Sequence, residues 1–319
     1  MERERWSELS AAVSAVDAGW KDPGRYKHRT AVIVRVHLWA ASHDRPVSWA
    51  CEAENWDGRS RPEALPDQST MSRRTRGKHG RRFEAFLDAV AGRMNRGPLA
   101  SSDPRVGAGG PGAMRLVKYM DGKALAVAAH SKDRDARWGR GSGQKSNGYK
   151  LHLLRSDRPM PEAWAVTPLD VDERVVARRM IKRLAERVGR EGGGGYILRD
   201  GMYDASDLHD RAAAANHLLL GPRRKPGTGL GHCYQSPGRL RCIDAIESPA
   251  KVNGFGEDLY RRRLQVERDL GNMAGFGGGL QNPPPWVRRI WRVRLWVYAK
   301  LLINAARIRC LRRRQRDAA

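Results

Sequence analysis

The sequence predicts an α/β protein in two parts: a helical N-terminal domain, then a mixed-sheet domain closed by two long C-terminal helices. Three observations carry that expectation. Apolar residues recur at three-to-four spacing through much of the first 95 residues. A Gly/Pro/Ser-rich stretch over residues 96–113 interrupts the pattern and reads as a linker. Beyond it, short aliphatic runs alternate with amphipathic segments, as strands and helices sharing one sheet do.

Charge narrows the class of partner. The 319 residues include 60 Lys and Arg against 35 Asp and Glu, a formal net charge of +25. A hydrophobic fraction of 40% excludes wholesale disorder. No run approaches the roughly 18 apolar residues of a membrane span, and the N-terminus lacks the basic-then-apolar pattern of a secretory signal. A cytoplasmic, nucleoid-associated location is therefore expected. A folded chain this basic calls for a polyanion, with nucleic acid first. Cys51, Cys233, Cys242 and Cys310 are scattered; His232, Cys233 and Cys242 are at most half a zinc site, and reduced thiols are the simpler reading.

Within the first 95 residues, Trp6, Leu9, Ala12, Val13 and Val16 mark a helix over residues 5–19. Residues 30–42 are ambiguous, because Val32, Ile33, Val34 and Val36 also suit a strand. Asp44 followed by Pro46 reads as the start of a helix reaching Trp56. Asp67 or Ser69 can cap a short helix presenting Ser72, Arg73, Arg74 and Arg76. Two short helices across a turn, the second rich in arginine, fit a DNA-binding helix-turn-helix. A helical domain with a solvated basic face is the competing reading. A further helix is expected over residues 81–95.

In the second domain, residues 114–120 and 124–129 are expected strands joined by a tight Asp121-Gly122-Lys123 turn, followed by a polar loop and a strand over residues 148–154. Asp170 or Asp172 caps an amphipathic helix that stops near Gly189. A strand over residues 196–200, a helix over 206–216 and a strand over 217–220 complete the sheet. Residues 222–256 read as irregular, and long helices are expected over 257–273 and 286–313. The last helix offers a packing face, and the arginines from Arg312 to Arg316 read as a loose phosphate clamp.

Asp121 and Asp200 stand at expected strand ends, where ligand groups converge in α/β sheets. Either alone is equally an ordinary turn former. Glu267 shares a helical face with Tyr260 and Arg263, for which a buried ion pair is the competing reading.

Four blocks in order resemble the DDE transposases of bacterial insertion sequences. They are Tyr119-Met120-Asp121-Gly122; Ser131 through Gly139, leading to Gly148-Tyr149-Lys150; Asp200-Gly201-Met202-Tyr203-Asp204; and Tyr260, Arg263 and Glu267. The Leu65–Arg74 element is similar to the helical region preceding the catalytic core in that family. The resemblance implies a ribonuclease H-like catalytic domain over residues 114–319, behind a DNA-binding domain over 1–95. It implies Asp121, Asp200 and Glu267 as catalytic and metal-binding residues, with Asp204 competing for the second place. Mg2+ or Mn2+, two ions per site, is the implied cofactor. Tyr260 and Arg263 are carried over as DNA contacts, joined by Arg73, Arg74, Arg76 and Lys150 as basic candidates. Lys132, Arg137 and Arg140 are weaker phosphate candidates, and Trp138 could stack on a base or merely pack.

Chemistry independently favours a cation among such carboxylates. Two unit charges about 4 Å apart repel by roughly 4 kcal/mol at an effective dielectric near 20, and oxygen donors favour Mg2+ or Mn2+ over zinc. The implied function is cleavage and strand transfer at terminal inverted repeats of double-stranded DNA, by a homodimer in the synaptic complex. The alternative is a catalytically inactive, transposase-derived DNA-binding protein. One departure bears on it: the family often has a basic residue seven positions after the glutamate, where this chain has Ala274.

Overall fold

The computed structural model describes residues 2–96, 117–128, 130–141, 143–191, 194–248 and 254–318. In chain order come α1 (Glu2–Asp17), α2 (Thr30–Ser42), α3 (Gln68–Arg74) and α4 (Gly77–Met94). Then follow β1 (Val117–Ala126), β2 (Arg137–Gly141), β3 (Gln144–Arg155), β4 (Ala163–Pro168) and α5 (Glu173–Glu191). The rest are β5 (Gly195–Leu198), α6 (Ser206–Ala214), β6 (His217–Leu220), α7 (Pro237–Glu247), α8 (Phe255–Arg261), α9 (Leu264–Ala274) and α10 (Ile290–Asp317). The chain forms two compact units, Met1–Pro98 with Met273–Ala319, and Leu99–Asn272. Residues 97–113 of the expected linker lie outside the described residues. Among the described residues no helix is long and apolar enough to cross a membrane.

The first unit is helical. Residues 30–42 are α2, buried on nearly every side at Ile33, Val34, Val36 and Leu38. A helix apolar all round is a core helix, which is why its β-branched residues mimicked a strand. It packs along α10, where the His37 ring meets the Leu295 carbonyl at 3.2 Å. The helix expected from Asp44 to Trp56 is absent. Asp44 takes φ +51° and pairs with the fully buried Lys300 at 2.6 Å instead of capping. Two single 3-10 turns follow, Trp49–Cys51 and Ala53–Asn55. Indole N–H groups of Trp39 and Trp56 donate to the Asn55 and Ala50 carbonyls, each at 2.8 Å. The expected helix-turn-helix pair thus lacks its first α-helix, and α3 runs directly into α4. Residues 273–319, expected to belong with the sheet, assemble with the N-terminal helices.

The second unit is a mixed sheet with order β2-β3-β1-β5-β6. β2 and β4 pair in succession along one edge of β3, opposite Gln144–Gly148 and Tyr149–Leu154 respectively. The path through β4 therefore reads β4-β3-β1-β5-β6: three antiparallel strands, then two joined in parallel. α5 and α6 cover one face over Met120, Leu154, Met180, Ile181, Ile197 and Leu219. Leu198, Leu220, Cys242 and Leu259 pack on the other.

Several expectations need correction here. The Asp121-Gly122-Lys123 turn does not exist; β1 passes straight through it, with Asp121 opposite Leu153 and Gly122 opposite His152. A continuous partner strand satisfies the backbone and removes any reason to turn. The polar loop after it folds into the β2–β3 hairpin, and β4 was not anticipated. α7 emerges from the segment read as irregular, with Pro237 in its first turn and Ser236 Oγ accepting from Gly238 N at 3.2 Å. The long helix over 257–273 is broken between α8 and α9 at Arg262 and Arg263.

Candidate active site

Strand register brings the first two carboxylates together. β1 and β5 run parallel with Tyr119 opposite Leu198 as the last pair. Asp121 and Asp200 each lie two residues beyond that pair, on adjacent strands at the carboxyl edge. Asp121 Oδ1 accepts from Gly122 N at 2.8 Å. Asp200 Oδ1 caps the 3-10 turn Gly201–Tyr203, accepting from Met202 N at 2.9 Å.

The break between α8 and α9 delivers the third. Arg263 stands in that break, and its guanidinium faces all three carboxylates. Nη2 is 3.9 Å from Asp121 Oδ2 and 3.8 Å from Asp200 Oδ2, while Nη1 is 3.4 Å from Glu267 Oε1. The two longer contacts are ion pairs beyond hydrogen-bond range. Exposure rises across the set, with Asp121 at 17%, Asp200 at 33% and Glu267 at 59%. Burial raises the Asp121 and Asp200 carboxyl pKa values, partly countered by the Gly122 and Met202 amides and by Arg263. Tyr260 lies in the last turn of α8 and is partly buried against the Leu198–Leu220 cluster.

Asp204 does not compete for this place. It accepts from Arg239 at 2.8 and 2.7 Å and from Arg199 at 3.3 Å, and is nearly fully buried. Burial alone would raise its carboxyl, but the arginines outweigh it and hold the pKa below the usual value. Asp200 faces the site, whereas Asp204 braces the turn behind it.

Other candidates are placed differently from expectation. Lys150 is a buried residue of β3, and its ammonium is bound to Glu173 at the start of α5. Arg74 is buried, donating to His28 O and Thr30 Oγ1 at 2.8 Å each with its guanidinium over the Tyr26 ring. Arg73 of α3 and Arg76, which precedes α4, are exposed. The arginine tail is not loose. It is the last turns of α10, where Arg309 and Arg313 pair with Glu8 and Arg314 with Glu4. Trp138 is 58% exposed on β2. Cys233 is exposed, and Cys242 is a buried residue of α7 whose thiol donates to Gly221 O.

Glu173, the first residue of α5, is one that the sequence reading did not single out; only Asp170 and Asp172 were named there, as caps. The three acids at residues 170–173 were its one sequence signal, and only folding sets its charge beside Asp121 and Asp200.

The donor set suits a hard divalent cation in kind, being carboxylate oxygen throughout. It suits one in charge, because a single guanidinium balances three carboxylates. With that guanidinium between them the carboxylates stand apart: among the described residues, no three His, Cys, Asp or Glu side chains are grouped closely enough to hold an ion.

Comparison with known proteins finds a family match over the stretch that holds these residues. A family profile described as the transposase DDE domain matches residues 115–282. Among solved structures, the chain is similar to the piggyBac transposase in a cryo-EM synaptic complex with hairpin DNA. The likeness has a TM-score of 0.41 and 10% identity, over 97% of this chain and 70% of that one. A search of curated proteins found no match.

Proposed function

The chain belongs to the transposase DDE domain family, and we propose that it cuts and joins DNA at the terminal inverted repeats of an insertion sequence. The observation that carries this is the convergence of Asp121, Asp200 and Glu267 on one guanidinium from three separate elements. The strand pattern β4-β3-β1-β5-β6 supports a ribonuclease H-like reading of the sheet, with Asp121 on its central strand.

Asp121, Asp200 and Glu267 would hold Mg2+ or Mn2+, which when bound supplies activation of the attacking oxygen and stabilisation of the leaving oxygen in an in-line displacement. The chain's own residues do the positioning. The Gly122 and Met202 amides fix one oxygen of each aspartate, leaving the other directed at Arg263. Tyr260 and Arg263 flank the carboxylates and are suited to a DNA phosphate near the cut. Exposed Arg73 and Arg76 provide phosphate contacts elsewhere on the duplex. No covalent protein nucleophile is needed.

The test uses purified protein, Mg2+ and a duplex carrying the element's terminal repeat. Nicking is expected at the repeat boundary. Asp121→Ala, Asp200→Ala and Glu267→Ala should each abolish it, with duplex affinity changed less than about threefold, roughly 0.65 kcal/mol. A variant that still cuts removes that residue from the set.

One observation favours the inactive reading: Ala274 closes α9 where the family often carries a basic residue. Under that reading the wild type binds the repeat and never nicks it.

A further inference from the structure

We propose that a cleft in the first unit, lined by α1, α2 and the loop over residues 57–62, seats the phosphodiester backbone of double-stranded DNA. This rests on the reading of DNA as the substrate and is independent of metal-dependent cutting. It lies apart from the phosphate contacts assigned to Arg73 and Arg76, neither of which lines the cleft.

Helical spacing builds one wall. Arg3, Ser7, Ser10 and Ser14 follow one another at intervals of four, three and four along α1, so they form one stripe, and all four line the cleft. Acids of α1 off that stripe are engaged with α10: Glu8 pairs with Arg309 and Arg313, and Glu4 with Arg314. The helix thus commits negative charge to α10 and presents arginine and hydroxyls to the cleft. α2 adds Arg35, Trp39 and Ser42 at intervals of four and three.

Charge is unbalanced there. Arg3, Arg5, Arg35, Arg59 and Arg61 line the cleft against two acids, Glu2 and Asp57, and none of the five forms an ion pair among the described residues. Arg5 Nη1 donates to Gly277 O at 2.9 Å and Arg35 Nη2 to Ser14 Oγ at 2.6 Å. These neutral acceptors place a guanidinium without cancelling its charge. Asp57 Oδ1 accepts from Arg59 N and Ser60 N at 3.1 and 2.7 Å, which fixes the loop. The Arg3 charge reaches Asp57 only from beyond ion-pair distance. Glu2 lies 3.9 Å from His43 Nε2. Elsewhere in the same unit arginines are matched, Arg29 with Asp17, Arg82 with Asp22 and Arg294 with Glu84. Guanidiniums gathered without counter-charges make a site for an anion, and arginine with serine is a donor set for phosphate oxygens.

Size and stiffness select the anion. The cleft encloses about 1340 Å3, above the roughly 300–1,000 Å3 of small-molecule pockets, so it suits a stretch of polymer. Its floor is pre-formed. The Trp6 ring meets Trp39 at 4.7 Å and Trp56 at 6.0 Å, and Trp39 stacks on Trp56 at 4.7 Å. That cluster ties α1 to α2 and to the residue before the loop, which lowers the ordering cost of binding. The rings pack on one another, so the cleft offers contacts to backbone phosphate and not a stack for unpaired bases.

The experiment maps arginine reactivity toward phenylglyoxal, residue by residue by mass spectrometry, on the full-length chain without metal. It compares free protein with protein bound to a duplex of random sequence. Arg3, Arg59 and Arg61 should be protected by the duplex, while Arg45 and Arg93, exposed and outside the cleft, keep their reactivity. The double variant Arg59→Gln with Arg61→Gln should make the log–log salt dependence of duplex binding shallower by about 1.8, two phosphates at about 0.9 each, and weaken binding on the order of tenfold. Arg59→Lys with Arg61→Lys should keep the slope. Arg45→Gln with Arg93→Gln removes the same charge and should leave the slope nearly unchanged; an equal loss in this control would reduce the effect to net charge and overturn the proposal. Cleft arginines that stay reactive under bound duplex overturn it while DNA binding stands, and so does protection by tripolyphosphate alone, which would mark a small-anion site. A wild type that binds no duplex removes the DNA reading as well, whereas binding without nicking removes only the cutting.

Discussion

Arg73, Arg74 and Arg76 occupy one stretch of seven-residue helix and the turn after it, yet they have different surroundings. Arg74 donates to His28 O and Thr30 Oγ1 and lies over Tyr26, so its charge is used inside the first unit. Arg73 stays exposed, donating to Thr70 Oγ1 at 3.1 Å. Arg74→Ala is therefore expected to lower stability by about 2–4 kcal/mol, the range for losing charge-assisted hydrogen bonds and orphaning their acceptors. Urea unfolding measures it, and a loss below 1 kcal/mol would show the contacts to be idle. Arg73→Ala should leave the urea midpoint alone and make the log–log salt dependence of DNA binding shallower by about 0.9. Sequence could not separate these two neighbours, because a helix turns 100° per residue and only the packing decides which side faces inward. The same holds at Asp200 and Asp204, of which one faces the site and the other is held by Arg199 and Arg239.

At the scale of elements, patterns stood out where they were regular and failed where partners supplied the order. α5, α6, β5 and β6 follow amphipathic spacing and aliphatic runs, and they form close to the expected bounds. β1 was misread as two strands because an Asp-Gly pair is a good turn former, while the β3 edge that overrides it lies more than twenty residues further on. α7 had a local signal that went unused, Ser236-Pro237 as cap and first turn. Ser236→Ala should cost about 1 kcal/mol, the usual value of a lost N-cap. Because Cys242 is buried in α7, the variant should also react faster with a thiol reagent under native conditions; an unchanged rate would mean the cap does not hold the helix down.

Across the whole molecule, acid stability offers a readout of burial. His209 is buried beside Arg199 and Asp204, and burial first, then the Arg199 charge, depresses its pKa from 6.5 to about 3. Below pH 6.5 the unfolded chain takes up a proton that the folded chain refuses. Stability is thus lost as pH falls from 6.5 toward 3, at about 1.4 kcal/mol per unit of depression at full extent. His209→Gln should flatten that stretch of the urea-midpoint profile relative to wild type, whatever its effect at pH 7. A variant profile parallel to wild type would place the proton uptake elsewhere.

The sequence alone determined a basic chain with a helical start, a mixed sheet and three acidic residues in family order. Those are properties of composition, local periodicity and short motifs, which act through neighbours along the backbone. Folding decided the rest: the strand register that sets Asp121 beside Asp200, the helix break that aims Arg263 at three carboxylates, the return of α10 to the N-terminal helices, and the pairing of Lys150 with Glu173. Each depends on contacts between residues remote in the chain, where burial and charge pairing outweigh local preference.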